Sequence, residues 1–581
     1  MVTILPDKRN LIFNAGFIIC LFAFLIYFLL KLPLNLSILC TNENQGFGFI
    51  FGQDFLSYHR LSPGRGPIYI LLYAGIIRFF GFNTYSIIAV HWLETILAFS
   101  TIFLIFLIVR KVTNNLFFSG LSSLFWVLLV LTPIGGSESI VELRSQFSFT
   151  DENLCVLFSL LSIYFLLKGR FFNIGNCSVT EKAFLFFGGF FAVCSSMSKS
   201  SGTVLCIVIL TFIAFLLIFK RSSFVQNKLK IIYSLLGMFF GFGFFILFMH
   251  FLEINLLSFW KNYFLIGSYT HEHLIDLKVF LQRLIALLTR SSNSASNFIF
   301  FSVSIVLFLF STVRVWYKGI NALDFFLFFL SLWGLGNMCA IVLPGQYQPY
   351  YYHLVWPSVS ILFSVYIHEL VTSLHEKSKQ KVVTFLALLI SVFFALRIII
   401  FIPVYYEYAS QMLKSSVFNQ PESFQDPVLS KEKPSDNRPA FLQIADVLNS
   451  LAPDKQSTIY ILNLYTKGNS GLTPLSYIYA KRYPPTSIEC GLLQIPNILG
   501  EKIKTLKHEL TEHPPDVLVI GNNITLHPFQ AKLLPEFLNW FNNFIYSNYK
   551  FESSFTYVQA YDNNKTEVFN VFKKSNSDIP N

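Results

Sequence analysis

The stretch "FLFFGGFFAVCSSMSKSSGTVLCIVILTFIAFLLIF" (residues 184–219) holds two apolar runs with one charged residue, Lys199, in the few residues between them. The run over 201–219 has the roughly 18 apolar residues that a helix needs to cross a bilayer, and the run over 183–198 comes close to that length. Backbone that faces lipid has to satisfy its own polar groups, so the runs read as a tight helical hairpin. Lys199 then sits at a membrane surface. A cation there reaches headgroups or pairs with an anion.

The same pattern extends in both directions. The chain has 581 residues, is 54% hydrophobic with 68 Phe, and only 13% of it is charged. Apolar runs fall near 11–32, 86–109, 116–133, 153–167, 183–198, 201–219, 231–250, 298–317, 322–343, 354–372 and 382–403. The expectation is a polytopic α-helical membrane protein with about eleven transmembrane helices. The first run is too long, and lacks the small-residue cleavage site, for a removed signal peptide.

The net charge of +11 reads as membrane topology, and no nucleic-acid partner is expected. With Lys8 and Arg9 inside, every second connection is basic: Arg110-Lys111, Lys168 and Arg170, Lys220 to Lys230, Arg314 and Lys318, then Lys377 to Lys381. This places the N-terminus in the cytoplasm. On the far side it places the stretch after the first run, residues 134–152, the turn at Lys199, residues 251–297, "PGQYQPYYYHLVWP" (344–357) and everything after about 404.

Past Pro403 the composition changes. Residues 404–440 are polar and Pro-rich, as in a linker. "STIYILNL" (457–464) and "PPDVLVIGN" (514–522) read as strands, "ILGEKIKTLKHELTEH" (498–513) and "FQAKLLPEFLNWFNNFI" (529–545) as helices, and "YKFESSFTYVQAY" and "TEVFNVFKK" as closing strands. The expected organisation is a transmembrane domain over 1–403, a linker over 404–440, and a soluble extracytoplasmic α/β domain over 441–581. Cys40 and Cys490 share the far side, where a disulfide between them is open, and Asn35, Asn523 and Asn564 stand in glycosylation sequons.

Polar residues gather at the far ends of the spans. The first outer segment has Asp54, Tyr58, His59, Arg60 and Arg65; the second has Glu138, Glu142, Arg144, Asp151 and Glu152. The hairpin turn has Lys199, and the segment before the tenth run has Gln346, Gln348, Tyr350, Tyr351, Tyr352 and His353. The spans themselves are nearly free of charge in their middles, with Glu94 and His250 among the exceptions. That distribution suits chemistry at the outer interface better than passage through the membrane. Sugar transfer from a polyprenyl phosphate fits the residue set. An acceptor hydroxyl needs a carboxylate base. The leaving lipid phosphate needs a cationic clamp more than a general acid. Tyr and Gln suit sugar faces and hydroxyls.

Several segments resemble polytopic GT-C glycosyltransferases, in the bacterial branch of the dolichyl-phosphate-mannose protein mannosyltransferases that includes the aminoarabinose transferases of lipid A. "GQDFLSYHRLSPGRGPIYILLYAGIIRFFGFNTYSI" (52–87) is similar to their first outer loop, through Asp54, Pro63, Pro67-Ile68-Tyr69 and Phe79-Phe80-Gly81. "FTDENLCVLFSLLSIYFLLKGR" (149–170), "GGFFAVCSSMSKSSGTVLCI" (188–207), "YQPYYYHLVWPSVSILF" (347–363) and "HPPDVLVIGN" (513–522) resemble further family segments. The sequence departs from the pattern where Asp54 stands without an adjacent carboxylate, and where Gln346 and Gln348 replace a basic residue.

The resemblance implies a bacterial cytoplasmic-membrane enzyme that takes a sugar from a polyprenyl-phosphate donor, with inversion, to a protein, lipid or glycan acceptor. It implies Asp54 as general base, Asp151 or Glu152 orienting acceptor or metal, and Lys199, Arg65 and Arg60 on the donor phosphate. Tyr58, His59, Gln346, Gln348, Tyr351 and His353 are the substrate contacts. No cofactor is assigned; a divalent metal is open. Each residue also has a plainer role. Asp54 suits a helix N-cap, Asp151 and Glu152 suit a helix N-terminus, Lys199 and the arginines suit headgroup anchors, and the tyrosines suit an interfacial aromatic belt. "HEH" at 271–273 lacks a third ligand for a metal. The rival functions are a transporter or flippase of lipid-linked sugars and a non-catalytic envelope-assembly protein.

Overall fold

A computed structural model gives the arrangement of the chain. It describes residues 8–37, 43–58, 65–131, 150–173, 175, 177–219, 221–257, 259–260, 263, 277–291, 295–317, 321–342, 349–373, 403, 405–410, 412–413, 440–451, 457–462, 499–521, 534–558 and 566–575. The helices of the apolar part are α1 (Lys8–Asn35), α2 (Glu43–Tyr58), α3 (Pro67–Phe80), α4 (Thr84–Thr113), α5 (Leu116–Leu131), α6 (Asp151–Lys168), α7 (Val179–Ser198), α8 (Thr203–Phe219), α9 (Arg221–Gln226), α10 (Lys228–Phe251), α11 (Leu277–Ser291), α12 (Ala295–Tyr317), α13 (Ala322–Val342) and α14 (Trp356–Ser373). Every expected span through 354–372 is a helix, and the last, 382–403, lies outside the described residues but for 403. Among the described residues, six helices are long and apolar enough to cross a membrane: those at 15–35, 84–113, 179–198, 200–219, 228–251 and 322–342.

Helices in lipid gain little by hiding apolar area from one another, so close packing depends on small residues. Gly189 of α7 and Gly237 of α10 meet each other's helix backbone. A Cβ on Gly189 would lie 2.0 Å from the Ser234 carbonyl oxygen, and one on Gly237 would lie 1.9 Å from that of Phe186. α1 and α5 approach in the same way, with Gly16 against Leu116 and Gly120 against Gly16, each Cβ position 2.2 Å from a carbonyl oxygen.

The first outer segment differs from its reading as a loop. Pro67 does open a helix, at the first position, where its missing N–H costs nothing. But α2 covers the residues around Asp54, so Asp54 is a buried residue within a helix and not an N-cap. Packing accounts for this. Gly48 and Gly52, one turn apart, form a notch for Tyr69 and Tyr73 of α3, also one turn apart. Glycines that read as loop formers locally are contact surfaces in the tertiary structure.

The C-terminal part opens on a helix that the sequence reading did not anticipate, α15 (Ala440–Leu451), and then follows its expected order: β1 (Ile459–Leu462), α16 (Leu499–Glu512), β2 (Val517–Gly521), α17 (Leu534–Asn548), β3 (Tyr549–Val558) and β4 (Thr566–Lys574). The strands form one sheet in the order β1-β2-β4-β3. β1 runs parallel to β2, and the other neighbouring pairs are antiparallel. Leu506, Leu510, Phe537 and Phe541 are buried at helical spacing. The stretch expected as linker starts differently: residues 405–410 are helical, and the Tyr405 hydroxyl donates to the Leu29 and Leu30 carbonyls of α1, at 2.9 and 3.1 Å.

Candidate active site at one end of the helices

Asp151 and Glu152 open α6 behind Thr150, whose backbone is extended. Carboxylates at that end of a helix are favoured by the exposed N–H groups and the helix dipole. Lys199 follows α7 directly in extended backbone, and a short 3-10 turn, Ser200–Gly202, leads into α8. Arg65 precedes Gly66, the N-cap of α3. A Cβ on Gly66 would lie 2.0 Å from the Ser198 carbonyl oxygen, so only glycine lets the start of α3 rest on the end of α7. That backbone contact brings Arg65 beside Lys199.

The four charges interlock. Arg65 Nη1 lies 3.2 and 3.3 Å from the two Asp151 carboxylate oxygens. Lys199 Nζ lies 3.5 Å from Asp151 Oδ1 and makes a closer contact with Glu152 Oε1. The Tyr351 ring centroid is 4.7 Å from Lys199 Nζ, a cation–π distance. Side-chain exposure separates the roles: 20% for Arg65 and 17% for Lys199, against 2% for Asp151 and 0% for Glu152. The cations form the open edge and the carboxylates the floor. Glu152 Oε2 is buried and has no hydrogen-bond partner among the described residues.

Burial alone would raise the Asp151 carboxyl, but Lys199 and Arg65 outweigh it and hold the group below its usual range. Burial brings the Lys199 ammonium down to about 8, with Asp151 holding it up and Arg65 pushing it further down. His353 stands behind the cluster, with Nδ1 3.1 Å from Asn153 Oδ1. Burial first, and Lys31 second, push His353 down to about 4, so it is a neutral imidazole at physiological pH.

Five expected site residues from four separate segments thus converge: Arg65, Asp151, Glu152, Lys199 and Tyr351. His353 joins them through Asn153. Asp54 is buried in α2, and Tyr58 ends that helix. His59, Arg60, Gln346 and Gln348 lie outside the described residues, as does the 271–273 "HEH". Among the described residues, no group of three or more His, Cys, Asp and Glu side chains is arranged to hold a metal ion.

Next to this site lies a polar network that the sequence reading did not assemble. Lys31 of α1 pairs with Glu94 of α4, both fully buried. Gln45 of α2 donates to Glu94 Oε1 and to His91 Nδ1, at 3.3 Å each. Asn35 and Thr95 bond to each other at 2.9 Å. Asn35 is therefore enclosed, and its sequon is not a surface acceptor. The only hints in the sequence were a lysine at the edge of the first apolar run and Glu94 in the second.

No family model and no curated protein matches the sequence. Solved structures do. The chain is similar to the archaeal oligosaccharyltransferase AglB from Archaeoglobus fulgidus, solved in complex with an inhibitory peptide and a dolichol-phosphate. That match has 13% identity and a TM-score of 0.50, over 97% of this chain and 75% of that one. It is also similar to ArnT from Cupriavidus metallidurans in the apo state, with 13% identity and a TM-score of 0.50, over 95% of this chain and 97% of that one. At this identity the likeness is one of architecture: the chain shares the fold of these two structures.

Proposed function

We propose that the chain is a membrane glycosyltransferase that moves a hexosyl or pentosyl group from a polyprenyl-phosphate donor to an acceptor on the extracytoplasmic face, with inversion at the anomeric carbon. The observation that carries this reading is the cluster of Arg65 and Lys199 above Asp151 and Glu152 at the outer end of the helices. An approaching lipid phosphate meets the two more exposed cations first and exchanges part of their carboxylate pairing for its own oxygens. In the reaction the acceptor oxygen bonds to the anomeric carbon, the bond from that carbon to the phosphate oxygen breaks, and the acceptor proton passes to a carboxylate. Asp54 is the assigned base, and Asp151 and Glu152 orient the acceptor. The leaving phosphate departs as an anion held by Arg65 and Lys199, so no general acid is needed. The dolichol-phosphate in the AglB structure supports a lipid-phosphate donor on this fold.

The test incubates purified protein with a panel of polyprenyl-phosphate sugars and follows release of free polyprenyl phosphate. Wild type releases it with at least one donor, and Asp54→Asn does not. Full activity of Asp54→Asn removes the base assignment, and no release with any donor removes the transferase reading. The same assay with a chelator reads metal dependence: loss of activity assigns a divalent cation to the carboxylates. The buried Lys31–Glu94 pair favours a second reading, transport of a lipid-linked sugar, since ionisable pairs inside membrane bundles mark transport paths. Movement of a labelled donor across a vesicle membrane with its sugar bond intact would support that alternative.

A further inference from the structure

Between the buried network and the outer cluster there is a small cavity. It measures about 20 Å³, and its polar lining is Tyr27, Glu94, Thr101, Trp126, Asn153 and His353. A cavity needs roughly 10–15 Å³ and two to four polar partners to hold one water. Two of the lining groups, Trp126 Nε1 and His353 Nε2, are buried and have no hydrogen-bond partner among the described residues.

The donors and acceptors point to a specific occupant. With His353 Nδ1–H donating to Asn153 Oδ1, His353 Nε2 carries a lone pair and needs a donor. Trp126 Nε1–H is a donor only and needs an acceptor. The Glu94 carboxylate accepts. One water within reach of all three would satisfy them: its oxygen accepting from Trp126, and its two protons going to His353 Nε2 and to Glu94. An apolar occupant would leave both orphaned groups unpaired.

We propose that this cavity is a hydration site for one water, which ties Glu94 and its partner Lys31 to His353 and Asn153 and makes Glu94 a positioning residue for the first turn of α6. Asn153 follows Glu152 directly, and His353 lies two residues past Tyr351, whose ring covers Lys199. The water therefore connects α4 to two of the segments that build the outer site. The positioning role rests on the glycosyl-transfer reading; the water does not.

A structure of the full chain in a lipid nanodisc, at a resolution that shows ordered water, tests the site. One density peak is expected within hydrogen-bonding reach of Trp126 Nε1, His353 Nε2 and a Glu94 oxygen, and it should vanish or move in Trp126→Phe. A dry cavity overturns the proposal. The positioning role is read in the donor-release assay. Glu94→Gln is expected to lower kcat about ten-fold with the donor KM unchanged, since small misplacements near reacting groups cost that much or more. Trp126→Phe is expected to do the same in a protein that still folds, and it leaves the Lys31–Glu94 pair intact if Glu94→Gln fails to fold. Unchanged kcat in Trp126→Phe overturns the positioning role. Wild type that cleaves no donor overturns the transferase reading and the positioning role with it, while the density still decides the water.

Discussion

Lys199 carries a prediction in its titration. Its ammonium loses its proton near pH 8, below the ordinary lysine value of 10.5, because burial disfavours the charge. Raising the pH through about 8 therefore removes one positive charge from the proposed phosphate-binding edge, and donor affinity is expected to fall. Stability does not fall with it through this group. Between about 8 and 10.5 the unfolded chain binds the extra proton, so rising pH favours the folded state there. The expected result is a donor KM that climbs above pH 8 while the melting temperature holds, and Lys199→Arg should flatten the climb. A flat wild-type profile would mean that Lys199 does not contact the donor. The Lys31–Glu94 pair behaves differently, because both charges are fully buried. Lys31→Met strands a carboxylate in the helix interior and should cost about 3–5 kcal/mol. Lys31→Met with Glu94→Gln should recover much of that loss, as thermal unfolding in detergent would show. No periodicity joins positions 31 and 94, so this pair emerges only once α1 and α4 are packed. Lys199 was legible because it stood alone between two apolar runs.

Among the elements, the membrane helices were readable from hydropathy alone, because lipid imposes one solution on an apolar run. α2 was not. Its glycines and polar residues carry weak local helix preference, and α3 stabilises it through the Gly48–Gly52 notch. The same physics yields sharp predictions for other glycines. Gly66→Ala puts a Cβ into the Ser198 carbonyl, so α3 must lift off the end of α7 and carry Arg65 away from Asp151. Loss of donor binding is expected even though alanine is the smallest change available. Gly189→Val forces α7 from α10 and should cost about 1–3 kcal/mol, the usual penalty of overpacking. Gly75 is the control: a Cβ there meets nothing within 4 Å, so Gly75→Ala should leave the melting temperature in place or raise it slightly. If Gly66→Ala binds donor as wild type does, the cluster does not depend on the α3–α7 contact.

At the scale of the whole molecule, the basic connections assigned Arg65, Asp151, Glu152, Lys199 and Tyr351 to one side before any packing was known, and the structure brings these five residues together. Charge alternation and tertiary contact are independent constraints, and they agree on one end of the helices. What the alternation does not fix by itself is which compartment that end faces. The positive-inside bias places Lys111, at the end of α4, in the cytoplasm and the C-terminal sheet region outside. Lys111 and Tyr546 are both exposed, and Tyr546 lies on α17 beside the sheet. Single cysteines at these two positions, in a background without the native cysteines, should react from opposite sides. In intact cells a membrane-impermeant maleimide is expected to label Tyr546→Cys and to spare Lys111→Cys. Permeabilised cells should label both. Labelling of both in intact cells would break the odd number of spans on which the orientation rests, and the reverse pattern would place the outer site in the cytoplasm. In that second case a donor presented on the extracytoplasmic leaflet would not reach Arg65 and Lys199, so the labelling experiment also tests the proposed side of sugar transfer.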